Sequence, residues 1–97
     1  MRILMIEDFA GANGQGFDLS IGEATMALTL VDARPLPVNP FPGQLRHPFS
    51  LMFRAAGPVI LPQRLYKLRN SRMGALDLFL VPIGRDGQGV VYQAIFN

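Results

Sequence analysis

Residues 76–97, LDLFLVPIGRDGQGVVYQAIFN, decide what kind of chain this is. Two apolar arms flank Gly84-Arg85-Asp86-Gly87-Gln88-Gly89, a run of turn-forming residues, so the segment is predicted to be a β-hairpin. Successive residues of a strand point to opposite faces. Leu76, Leu78 and Leu80 therefore share one face of the first arm, and Phe79, Val81 and Ile83 share the other. In the second arm Val90, Tyr92, Ala94 and Phe96 oppose Val91 and Ile95. Both faces are apolar, yet a small domain has one core. If the leucine face fills that core, Phe79, Val81 and Ile83 need cover from another chain, or from an N-terminal helix laid over a closed barrel.

The same period-two pattern runs back through most of the chain. Ala24 to Ala33 alternates, with Met26, Leu28 and Leu30 on one face and Thr25 and Thr29 on the other. His47 to Arg54 places Phe49, Leu51 and Phe53 inward and Ser50, Met52 and Arg54 outward. Arg64 to Asn70 places Tyr66 and Leu68 inward and Lys67 and Arg69 in water. Phe17 to Ile21 is a further short strand. Four prolines in PLPVNPFPGQ, residues 35–44, forbid a central strand or a helix there. The one helical candidate is Ile6 to Asn13, two turns at most. Five to seven short strands with one short N-terminal helix predict a mainly all-β domain, a small antiparallel β-barrel or sandwich spanning 1–97. Its expected core is Leu28, Leu30, Phe49, Leu51, Phe53, Tyr66 and Leu68.

Composition narrows the function classes. A chain of 97 residues buries only about two thirds of its unfolded surface, enough for one core but not for a core plus a deep cavity. There is no cysteine, which excludes disulfides and thiolate metal sites. No apolar run approaches the roughly 18 residues of a membrane span, and Glu7 and Asp8 interrupt any signal-peptide core, so a cytoplasmic location is expected.

Catalytic chemistry has little to stand on. The single histidine, His47, precedes Pro48 with no acid beside it, which favours a structural role. Ser20 and Ser71 sit in no nucleophile-elbow context. Adjacent Glu7 and Asp8 diverge on any regular element. No His, Asp or Glu pair has metal-ligand spacing, so no metal and no cofactor are expected. GANGQG, residues 11–16, lacks the lysine of a phosphate loop and follows a helix candidate instead of preceding one, which leaves it as a turn. The expected class is non-enzymatic.

Charge is distributed unevenly. Residues 1–33 carry a net −4, whereas 34–76 hold seven cations and no acid. Within that stretch Arg64, Lys67, Arg69 and Arg72 cluster in sequence, a candidate anion-binding group for a small ligand or nucleic acid using the basic 46–72 face. Positive charge guarding a solvated strand edge accounts for the same residues. The linear segregation also favours contacts between unlike surfaces of two molecules.

The order EDFAGANGQGF, MALTLVDARPL, FSLMFRAAGPVILPQRLYKL, MGALDLFLVPIG and YQAIFN resembles a small bacterial family of single-domain proteins of unknown function. The shared motifs are an Asp-Phe-Ala followed by Gly-x-x-Phe, then Phe-Ser-Leu-x-Phe, Tyr-x-Leu, Leu-Phe-Leu-Val-Pro and Tyr-x-Ala-x-Phe-Asn. The last two fall on Leu78 to Pro82 and Tyr92 to Asn97. Members occur beside genes for tail-collar or tail-fibre-like proteins of phage origin. The resemblance therefore implies a structural or accessory component of a phage-tail-like or other bacterial assembly. It brings no catalytic or ligand-binding residues with it. Protein partners or self-association are the expected mode of action, with Phe79, Val81 and Ile83 as the candidate interface.

Overall fold

The computed structural model describes residues 3–37 and 47–97, so most of the proline-rich loop and Arg46 lie outside the described residues. Six strands form one closed antiparallel barrel: β1 (Gly16–Ile21), β2 (Ala24–Pro35), β3 (Phe49–Ala55), β4 (Arg64–Asn70), β5 (Gly74–Asp86) and β6 (Gly89–Phe96). Their order around the barrel is β1-β2-β3-β6-β5-β4, and β1 closes on β4 through Asp18↔Arg69 and Leu19↔Leu68. The closing hairpin is β5–β6, joined at Asp86↔Gly89.

Alternation sets the faces as expected. Phe49, Leu51 and Phe53 of β3, Tyr66 and Leu68 of β4, Leu78 and Leu80 of β5, and Val90, Tyr92 and Ala94 of β6 are buried, as are Leu28 and Leu30 of β2. Ser50 is the exception among the predicted outward residues. It is buried between Arg34 and Ile95, its register partners on the two neighbouring strands, and these larger side chains flank the small one.

Two bulges reset the phase. In β2 the register slips between Leu30 and Asp32, making Val31 the extra residue. Without that slip, Asp32 would point into the barrel opposite Leu51. With it Ala33 faces Leu51, while Asp32 and Arg34 point outward and form an ion pair of 2.7 Å. In β5 a second slip falls between Pro82 and Gly84. Proline has no N–H to give a ladder, so it is accommodated beside a bulge.

The N-terminal segment is a correction. In place of a helix over Ile6–Asn13 there is one 3-10 turn, Ile6–Phe9. Met5 N–H donates to the Asp8 carboxylate at 2.8 Å, which closes the turn, and Gly11 then takes a left-handed φ of 76°. A single turn cannot repay helix nucleation. What decides the path is Phe9, which is buried and packs 6.0 Å from the Phe49 ring and 5.9 Å from the Phe96 ring. Phe49 and Phe96 themselves stack at 4.4 Å. The segment therefore plugs the end of the barrel where β3 begins and β6 ends, instead of lying over its outer wall. Beyond it, Gly14 N–H donates to the Leu30 carbonyl and Leu30 N–H to Gln15, extending β1's pairing to the β2 bulge.

The opposite end is sealed by the β3–β4 connection, which must cross the barrel because β3 and β4 are not neighbours. Leu61 is buried there, and its N–H donates to the hydroxyl of Tyr92 at 3.0 Å. The Tyr66 hydroxyl donates to the Pro62 carbonyl. Both core tyrosines thus satisfy their polar tips on the segment that caps them. A third tie is buried Asn70, which donates to the Gly16 carbonyl at 2.8 Å and accepts from Arg72 and Met73 N–H. It joins the β4–β5 turn to the start of β1.

Gly89 makes a close backbone approach. Its φ is 135°, and a Cβ there would overlap the Ala55 carbonyl oxygen, a backbone atom that cannot swing aside. Gly87, two residues earlier in the same turn, has open space. Gly89→Ala is expected to cost about 3 kcal/mol or more and to lower Tm by more than about 10 °C. Gly87→Ala should stay within about 0.5 kcal/mol of the parent. Thermal denaturation of the two variants checks this, and equal melting temperatures would refute the packing described for β6.

Candidate protein-interaction face

The strand that carries the predicted cations has two different faces. Tyr66, Leu68 and Asn70 point inward, so Leu65, Lys67 and Arg69 form the outer row. Arg64 opens β4 at the Leu61 end, with its guanidinium 6.0 Å from the Tyr66 ring centre. Arg72 lies in the turn at the Phe9 end. The chain between them is mostly extended strand, rising about 3.3 Å per residue. The four cations therefore spread along the barrel and do not converge.

Register also interleaves them with acids. Lys67 stands opposite Asp77 of β5, Arg69 opposite Asp18 of β1, and Arg54 of β3 bonds Asp86 at 2.7 Å. The charge segregation seen along the chain is undone by strand order. The contact between unlike surfaces that it suggested loses its basis.

The apolar residues behave differently. Phe79 is 51% exposed and Ile83 47%, with Val81 half-buried between them. Nothing among the described residues lays a helix over them. Two more strand residues are more exposed still, Leu65 at 63% and Ile95 at 54%, and Val59 and Ile60 in the β3–β4 connection reach 58% and 52%. Leu65 pairs directly with Phe79 across β4 and β5, so the two side chains share one outward patch. Leu65 was visible as the one apolar residue in phase with Lys67 and Arg69, a row otherwise made for water. Ile83 is the extra residue of the β5 bulge, which takes it out of strict register with Phe79 and Val81.

Among the described residues, the other surface features bring no reactive groups together. A cleft of about 530 Å³ is lined by Ile6, Glu7, Phe9, Ala10, Gly11, Asn13 and Ala33, with Glu7 its one titratable group. Another of about 300 Å³, beside the β2 bulge, holds Thr29, Val31, Arg54, Ala56 and Gln88. The His47 ring donates from Nε2 to the Leu36 carbonyl at 2.9 Å, a tie between the ends of β2 and β3. Among the described residues no three His, Cys, Asp or Glu side chains gather as metal ligands, and no helix is long and apolar enough to cross a membrane.

The fold and its surface thus define a small closed antiparallel barrel with an uncovered apolar strip on its β4–β5 wall. The chain belongs to the family of the domain of unknown function DUF6916, which matches residues 4–96. Neither the curated proteins nor the solved structures yield a match.

One titration follows from this geometry. The hydrogen bond from Arg54 holds the Asp86 carboxyl below its ordinary value of 3.8, and the Gln88 backbone N–H adds to the effect. A depressed folded value means that the stabilisation is complete above the unfolded carboxyl value, about 3.9. It is lost as pH falls through the lower folded value. Arg54→Gln should return the Asp86 titration, followed by carboxyl ¹³C resonance, toward its ordinary value. An unchanged midpoint would show that the ion pair is not formed in solution.

Proposed function

We propose that this domain is a non-enzymatic protein-interaction module that docks through the outer wall of β4 and β5. The assembly-component role suggested by its sequence resemblance, phage-tail-like or otherwise bacterial, is the setting in which such a module acts. The observation that carries the reading is the pairing of exposed Leu65 and Phe79 on a barrel whose interior is occupied by its own side chains. Burying apolar surface is worth about 25 cal/mol per Å², and contiguous apolar patches on soluble domains mark interaction sites. A ligand-binding barrel, by contrast, needs an open interior or converging cations.

A photoreactive phenylalanine analogue at position 79 tests this in the cells that make the protein. Covalent protein adducts are expected from position 79 and not from the same analogue at Thr25, which is exposed on β2. Adducts absent from position 79, or equally abundant at both positions, would refute the reading.

A further inference from the structure

We propose that the partner seated on this face is a second copy of the chain, related by a two-fold axis that runs along the strands between β4 and β5. This rests on the protein-interaction reading above and adds the identity and geometry of the partner. The outward residues of β4 and β5 stand in the cross-strand pairs Leu65↔Phe79, Lys67↔Asp77 and Arg69↔Ala75, and all six are exposed. A two-fold axis parallel to the two strands, outside the wall and above the line midway between them, carries each residue to the place that faces its own cross-strand neighbour. Face to face, Leu65 of one copy then meets Phe79 of the other, and Phe79 meets Leu65. Lys67 meets the other copy's Asp77, and Asp77 its Lys67. Arg69 meets Ala75, whose small side chain leaves room for the guanidinium.

The strip is therefore self-complementary in both hydrophobicity and charge, which is what an isologous contact demands. Had β4 and β5 both carried cations at the second position, the same axis would have set like charges against each other.

The strip presents six residues, against the roughly 20–30 residues a side of a standard interface. The dimer belongs to the weak, transient class and is to be sought at high protomer concentration.

The test is charge reversal followed by mixing, read by sedimentation equilibrium up to about 1 mM protomer, where weak complexes populate. Lys67→Glu and Asp77→Lys are each exposed changes, and melting temperatures near the parent's would confirm that both variants fold. In either variant alone both charge contacts of the dimer become repulsive, and association should weaken at least about tenfold. In an equal mixture, the glutamate introduced at position 67 of one copy faces the lysine introduced at position 77 of the other. The second contact of that mixed dimer is the unaltered Asp77 of the first copy against the unaltered Lys67 of the second. Association should then return to within about threefold of the parent. A Lys67–Asp77 attraction confined within one chain cannot produce that recovery. A mixture that stays monomeric overturns the proposal, as does a parent that is monomeric at 1 mM or single variants that associate like the parent. If adducts to a different protein nevertheless form at position 79, the interaction face stands and only the second copy falls.

Discussion

The width of the barrel governs everything else in this protein. Eight strands enclose an interior only just wide enough for side chains, and here there are six. The inward residues of every strand consequently meet across the axis. Phe17 and Phe53 pack edge-on at 5.3 Å, and among the described residues no strand contributes an inward charge at mid-barrel. Phe9 seals one end from the segment before β1, and Leu61 seals the other from the β3–β4 connection that strand order sends across the barrel. An interior so occupied leaves the outer wall as the surface for the proposed docking.

Closure also explains how so small a chain exposes so much apolar surface. A barrel has no free strand edge, so the usual hazard of edge-to-edge pairing is absent. Leu65 and Phe79 pair with each other across β4 and β5 on the outer wall, where a surface approaching face-on would bury them. Their flanking charges, Lys67 with Asp77 and Arg69 with Asp18, keep the strip short and bounded.

Much of this was legible in the amino-acid order, and the reasons for the rest are specific. The faces of β3, β4 and β6 follow from alternation, because each is a short strand with one buried side, Ser50 of β3 excepted. The bulges at Val31 and Ile83 left no such mark, since alternation resumes after each slip and only the partner strand shows the extra residue. The helix expected over Ile6–Asn13 rested on a local pattern that the burial of Phe9 overrides. Strand order was beyond reach, because β1 meeting β4 is a contact between residues some fifty positions apart. That order converts a segregated charge pattern into an interleaved one, so surface electrostatics could not be inferred from the linear sequence. Of the candidate face, Phe79, Val81 and Ile83 follow from the hairpin, and Leu65 stands out in its row of cations, but its place beside Phe79 follows only from the β4–β5 register.

The central claim is that the barrel interior is filled and sealed, and it can be tested directly with a small apolar probe. Benzene enters dry apolar cavities of suitable size in protein cores. Titrated into the ¹³C-methyl-labelled protein, it should leave the resonances of Leu28, Leu30, Leu51 and Leu80 unmoved, with any perturbation confined to outward methyls such as Leu65. Saturable shifts of those four inward leucines would show an interior open to ligands and would contradict the account.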